Sequence, residues 1–591
     1  MSASTSQSIP SQDQAMLIEP RPPEPIKIVI FPTAAKAFFQ RLGTVLLLAG
    51  AIPPANAALD MGRCCQLRAR QLLDELQLNP WAACSIGATI TDPLTQIYDS
   101  VNATKDWAMH TCPGWQRSSL EEWLMPLVQW LAPYLALVVL CPIGESVHEK
   151  VHETENKQTG SMWLLYWART RNLKQYFWPE NAEEPCQEVS HKKVLEWINI
   201  LGDPASAIWG AIYQLGMDVW VVRALVVRRD ADHPDRSKKN MMLGILVVGS
   251  QTPIDHKKTN ILEEIARSGD AKMLEAEIWR VLVAGTDFAN GILIPVLLHF
   301  MLTAWGFYQA YKKLGDNDTA HGLAYGALYT WLIILVVLGN CFAAHTNIAA
   351  IKSSMTVLPL SGKREPLRRR YSNMVEWKHW LKEASKDDVS AQSPDGHASD
   401  KATSIEPFGW RFYLKYLLGQ FAGWACVAFF GSCAIVISFT TPTVGWGCRS
   451  FNHLLFIGIS LIVALLQVLR HWAEVHKVKP MITVTGWTYT LAVFVNCFVL
   501  LGGTILHFSG VYRSYGCSRI FGQRDNLLQL APHTQLHVHN ARRYWYSTGY
   551  MAYCVAWVIC AVGVGCRQYF KIRLERRFAP IGSVNSTLLK P

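Results

Sequence analysis

Two long apolar runs, Ala284–Tyr308 and Gly322–Ala344, flank one short polar stretch, Lys312–Ala320. Each run is long enough to cross a hydrocarbon core of about 30 Å as a helix, which takes about 20 residues. A tight polar link between two such runs predicts a membrane hairpin over 284–344. Other runs of the same kind follow outward from it: Trp123–Cys141 before it, and Phe412–Phe439, Leu454–Leu469, Val484–Phe508 and Thr548–Gly565 after it. Pro126 and Pro133 should kink the first of these, which is tolerated where neighbouring helices satisfy the freed carbonyls. The pattern predicts an all-α, polytopic transmembrane helix bundle of about seven spans.

The segments between the runs set the rest of the organisation. Residues 1–35 are rich in Ser, Gln and Pro with little to bury, the signature of a disordered tail. Over 36–58, Lys36 and Arg41 precede the apolar run Leu42–Ile52 and then Ala55-Asn56-Ala57, which predicts a signal peptide or a signal anchor. Either one exports 59–122 as a small ectodomain. It holds Cys64, Cys65, Cys84 and Cys112 and the glycosylation sequon Asn102-Ala103-Thr104. Four cysteines allow three pairings. If Cys64 and Cys65 are both bonded, their partners are Cys84 and Cys112, because a vicinal bridge needs a strained peptide.

Residues 142–283 carry Arg169, Arg171, Lys192, Lys193, Arg228, Arg229, Lys238 and Lys239, so the positive-inside bias places them in the cytoplasm as a helical insertion. Within it, Ala205–Val227 is apolar but interrupted by Gln214, Asp218 and Arg223. A buried or membrane-lying helix is the preferred reading over a span, because a span would throw Arg228–Lys239 outside. Residues 345–411 form a basic cytoplasmic linker. It opens with Lys363–Arg370, and the Trp377, Trp380, Leu381 and Ala384 face that follows suits a helix lying in the interface. Residues 412–566 make a four-span bundle, and 567–591 a basic cytoplasmic tail.

Composition agrees with this picture. Of 591 residues, 50% are hydrophobic and only 17% charged, where a soluble domain is nearer a quarter. The net charge of +11 is scattered over loops between spans. It therefore points to a lipid bilayer and its anionic headgroups as partners, not to nucleic acid. Arg513, Arg519, Arg524, Arg542 and Arg543 run against the bias, since they fall in the predicted outer loop Ser509–Ser547. Cys448 and Cys517 are the cysteines of the last two outer loops and are candidates for a disulfide. The expected location is an integral membrane of the secretory pathway, with the plasma membrane preferred.

Four blocks carry a resemblance: GDNDTAHGLAYGALYTW (Gly315–Trp331) with LGNCFAA (Leu338–Ala344), ILGDP (Ile200–Pro204) and TPTVGWGCRS (Thr441–Ser450). Over roughly Ile200 to Gly565 the chain resembles a group of uncharacterised filamentous-fungal multi-pass integral membrane proteins. The resemblance implies membrane topology, and no site residue comes with it.

Candidate chemistry is sparse. His148-Glu149-Lys150-Val151-His152 matches the HExxH spacing that lets two histidines on one helical face hold zinc. The surrounding Glu145–Lys157 is polar throughout, as in a solvated helix, and no third ligand is identifiable. His533, His537 and His539 cluster in the last outer loop and are candidate metal ligands. Polar residues inside the runs are the better clue, because they are costly in lipid and tend to face a bundle interior. They are Asp287, Asn290, His299, Asn340 and Asn496, with His299 at the level of Tyr329 and Thr330, and Gln420 and Gln467 nearer the inner ends of their spans. No cofactor is implied. Three functions stay open: a non-enzymatic surface protein that senses or scaffolds, which is preferred; a solute or proton transporter or channel; and a membrane-associated zinc peptidase.

Overall fold

The computed structural model describes residues 61–73, 101–112, 132–142, 191–227, 288–312, 317–341, 365–373, 375, 409–441, 445–513, 517, 527–530 and 539–578. In chain order its elements are α1 (Met61–Leu73), β1 (Asn102–Thr104), α2 (Lys105–Thr111), α3 (Ala132–Leu140), α4 (His191–Gly202) and α5 (Pro204–Val227). Next come α6 (Ile294–Lys312), entered through a π-helical turn at Ala289–Leu293, then α7 (Asn317–Tyr329) and α8 (Trp331–Gly339). The chain continues with α9 (Trp410–Thr440), α10 (Cys448–Val475), α11 (Lys479–Phe508), β2 (Leu527–Gln529) and α12 (Ser547–Phe578), the last entered through a π-helical turn at Ala541–Tyr546.

Among the described residues six helices are long and apolar enough to cross a membrane: Ala289–Tyr311, Thr319–Gly339, Trp410–Thr440, Cys448–Val475, Lys479–Phe508 and Ala541–Arg573. The chain is an all-α helical bundle of an integral membrane protein, and a lipid bilayer is its environment. Five of the six keep a broad exposed apolar face, seen in Leu418, Phe421, Leu491, Phe498 and Val558. Such a surface is stable only against hydrocarbon. Thr319–Gly339 differs, because its apolar window is entirely buried. It is the axial crossing. Tyr325 and Tyr329 hydrogen-bond across to α11, at Gly503 O and Thr504 Oγ1. Leu323 and Leu338 lie on Gly549 and Gly563 of α12.

The expected hairpin 284–344 is therefore present, with two differences. Helix α7 already begins at Asn317, inside the expected polar link, and the second crossing is interrupted at Thr330. The span expected at Leu454–Leu469 is longer, Cys448–Val475, because its polar ends stay helical where they pack on neighbours. Likewise α12 continues through Arg567 to Phe578, past the expected end at Gly565. Of the expected first span, 132–140 is described, as α3.

Helices α9, α10 and α11 run up, down and up. Trp424 donates to Ile457 O at 3.0 Å, and Asn496 Nδ2 donates to Ser460 Oγ at 3.0 Å. The α10–α11 turn holds Lys477 at φ 53°, in the left-handed region. At the opposite end the Cys448–Cys517 disulfide joins the start of α10 to the segment after α11. Close to it in sequence, β2 pairs antiparallel with β1, with Asn102 opposite Gln529. The disulfide thus lies at one end of the bundle, and the 365–373 segment with the α10–α11 turn at the other.

The insertion expected in the cytoplasm departs most from expectation over 191–227. Helices α4 and α5 form a V that enters the bundle from the end where α9 and α11 begin. At its tip a Cβ on Gly202 would collide with the Val493 carbonyl, and one on Gly423 would collide with the Ala205 carbonyl. Val493 is the fifteenth residue of the 30 in α11, so the tip lies about 20 Å from either end of that helix. From the tip both arms return the same way. Ser206 meets Gln420, Trp209 lies on Gly419, and Tyr213 meets Tyr371, which stacks on Tyr416 near the start of α9. The Leu367 carbonyl sits at Gly210 of α5, and the next residue, Arg368, reaches Glu196 of α4 at 3.2 Å. Along one straight helix Glu196 and Gly210 would stand about 21 Å apart, too far for that bridge. The 365–373 segment therefore fills the mouth of the V. The helix expected as buried or membrane-lying over Ala205–Val227 packs inside the bundle over 205–211, with Ile212 and Gly216 exposed further along.

Candidate functional site

The V tip follows from its sequence. Gly202 ends α4 at a backbone position that must touch α11, and Asp203 caps α5, whose first residue is Pro204. This is the usual stop, cap and start order. The Asp203 carboxylate is wholly buried. Its Oδ1 accepts from the Ser206 amide at 3.2 Å and its Oδ2 from the Tyr489 hydroxyl at 2.7 Å. Around it, the Ser206 hydroxyl donates to Gln420 Oε1 at 2.9 Å, and Asn496 Nδ2 donates to the Gly202 carbonyl at 2.9 Å. Glu196 and Arg368 pair below the tip. Burial pulls the Arg368 guanidinium toward lower pKa, and Tyr489, Glu196 and Asp203 together more than offset it, so it stays charged. Burial also pushes the Glu365 carboxyl up, against the pull of Arg369 and Arg370.

Within the basic run Lys363–Arg370, packing accounts for two of the guanidiniums. Arg370 is fully buried, bonded to Gln214 Oε1 and to the Glu365 carbonyl at 3.0 Å, and Arg368 faces Glu196. These two guanidiniums serve the bundle interior, which leaves headgroup contact to other basic residues of the cytoplasmic segments.

A second polar cluster lies across the bundle. The Tyr553 hydroxyl is 2.7 Å from that of Tyr134 and donates to Thr303 Oγ1 at 2.7 Å, and it lies 3.3 Å from His299 Nε2. Tyr134 continues the chain to Thr330 Oγ1 at 3.1 Å. His299 does sit at the level of Tyr329 and Thr330, its ring edge-on to Tyr134 with centroids 4.5 Å apart. A third cluster sits at the disulfide end. There Arg449 reaches His321 Nε2 at 2.7 Å and His507 Nδ1 at 3.2 Å, and His453 lies 3.2 Å from Ser438.

The other sequence candidates scatter. Asn340 Nδ2 donates to the Leu140 and Val336 carbonyls, both at 2.9 Å, and ties α8 to α3. Asn290 is exposed at the π-helical entry to α6, and His539 is exposed just before the entry to α12. Asn102 lies in β1. Cys64 is bonded to Cys112, and Cys65 is also in a disulfide. Asp287, Cys84, His148, His152, His533 and His537 lie outside the described residues. Of the intramembrane candidates, the structure brings Asn496 to the V tip and His299 to the hydroxyl cluster, in separate places. Sequence reasoning missed Asp203, Tyr489, Ser206 and Arg368. The available signal was Gly-Asp-Pro inside ILGDP, a helix stop and restart within otherwise apolar sequence.

The chain matches no protein-family model, and neither a curated protein nor a solved structure is detectably similar to it.

Proposed function

We propose that this protein is a transporter or channel for a small polar solute or ion, working through the V tip. The observation that carries the reading is the Asp203 carboxylate, buried halfway along α11 with Tyr489, Ser206, Gln420 and Asn496 around it. A carboxylate at that depth is costly, and such groups mark solute and ion paths. Broken helices that end at the bilayer midplane are also where secondary transporters hold their cargo. In this reading α3 belongs to a seventh crossing and the V is re-entrant from the cytoplasm. The end with the Cys448–Cys517 bond and the β1–β2 pair faces the exterior of the plasma membrane or a secretory compartment. The resemblance to fungal multi-pass membrane proteins accords with that topology.

A second reading, surface sensing or scaffolding, is favoured by one observation. Residues 102–104 are fastened to 527–529 through β1 and β2, which in this reading makes a fixed platform for a partner. Flux separates the two. Purified protein in liposomes loaded with a sodium- or pH-sensitive dye should dissipate an imposed sodium or proton gradient faster than empty vesicles. Asp203→Asn should bring the rate back to that of empty vesicles. Equal rates for wild type and empty vesicles, with either gradient, would contradict transport of these ions.

A further inference from the structure

The V tip is rich in oxygen acceptors. Asn496 commits its amide nitrogen to the Gly202 carbonyl and the Ser460 hydroxyl, at 2.9 and 3.0 Å, which fixes Oδ1 as its remaining polar atom. Asn496 is fully buried, and its Oδ1 has no hydrogen-bond partner. Amide geometry keeps that oxygen within about 5 Å of the Gly202 carbonyl. Pro204 has no N–H, so the Ile200 carbonyl loses its helical donor at the same level. The carboxylate of Asp203 is hydrogen-bonded directly by two neutral donors, Tyr489 and Ser206, while the Arg368 guanidinium pairs with Glu196 and acts on Asp203 from beyond Tyr489. Finally, the 12-residue α4 points the negative end of its dipole at this spot, and the positive end of α5 is taken up by Asp203, which caps it.

We infer that the V tip binds a dehydrated alkali cation of the sodium class, held by the Asp203 carboxylate, Asn496 Oδ1 and carbonyls at the end of α4. A buried carboxylate and an unused buried oxygen are both costly alone, and one hard cation satisfies both. Helix ends and unwound carbonyls at mid-membrane are suited to sodium. The inference deepens the transport reading and rests on it for its purpose, but binding is measurable without transport.

The full chain in detergent is heated in sodium, potassium or choline chloride at equal ionic strength. Sodium should raise the unfolding midpoint by about 2–3 °C over choline. Phe498→Leu, on the lipid face, should keep the shift, and Asp203→Asn and Asn496→Ala should lose it. If Asn496→Ala fails to run as a single species in gel filtration, Asp203→Asn, which retains the helix cap, decides. Equal midpoints in sodium and choline would overturn the site, as would a sodium shift that survives in Asp203→Asn. A midpoint that moves with pH and not with sodium would mean that a proton is the occupant, and would overturn it too. A sodium shift without sodium or proton flux in liposomes would leave the site standing and remove the transport reading. Flux without the shift would do the reverse.

Discussion

The Tyr489 hydroxyl donates to Asp203 Oδ2 at 2.7 Å, joining the tip of the V to the middle of α11 across 286 residues of chain. Both side chains are buried, so the bond does more than close a contact. It solvates a carboxylate in the low-dielectric interior, where an unsatisfied acceptor costs more than a hydrogen bond returns.

Removing the hydroxyl tests this. Tyr489→Phe keeps the ring on Val463 and Val493 but leaves Oδ2 without its donor. The loss should be about 1–3 kcal/mol, read as a lower unfolding midpoint. Tyr550→Phe, on the exposed face of α12, should move it little.

The close approach at the tip is equally testable. Gly202→Val sets a branched side chain against the Val493 backbone, which cannot swing aside. It should abolish the single gel-filtration peak. Gly216→Ala, on the same V but with open space around it, should preserve that peak.

At the disulfide end, the Cys448–Cys517 bond closes a separation of 69 residues. Loop closure on that scale is worth about 2–4 kcal/mol. Cys448→Ser with Cys517→Ser should lower the unfolding midpoint under non-reducing conditions. Adding reductant should lower wild type by more than the double substitution does and the double variant by less than wild type, because the Cys64–Cys112 and Cys65 disulfides remain to be reduced in both.

The hydroxyl cluster should behave as a unit. Tyr553→Phe removes the group shared by Tyr134, Thr303 and His299. Tyr134→Phe removes one of the same bonds. Their destabilisations should therefore be non-additive by about 0.5 kcal/mol or more in a double-mutant cycle of unfolding. Strict additivity would mean that the hydroxyls do not form a chain.

What the sequence makes legible follows from what hydropathy measures. It scores transfer to lipid, and the helices whose faces meet lipid must be apolar there, as Leu418, Phe498 and Val558 are. Their existence and centres are accordingly readable, while the ends of α10 and α12 run well past the apolar stretch that marks them. The V meets protein on its sides instead, so Gln214 and Asp203 are accommodated by Arg370 and Tyr489, and the same residues look like interruptions in a hydropathy trace. The Lys363–Arg370 run misleads for a related reason. A positive charge predicts a negative partner but not whether that partner is a lipid or Glu196. His299 and Asn496 are legible as costly intramembrane polar groups, but their partners are set by packing that no local pattern encodes.

The central claim is that the V enters the bundle, and proximity at its tip is the direct measurement. Ser206→Cys with Gln420→Cys, treated with a short bifunctional thiol reagent and mapped by mass spectrometry, should give a crosslinked peptide pair, since the native side chains meet at 2.9 Å. Ser460→Cys with Asn496→Cys is the reference pair within the α10–α11 hairpin. Crosslinking of both pairs is the predicted result. Crosslinking of the reference pair alone would put Ser206 outside the bundle and contradict the account.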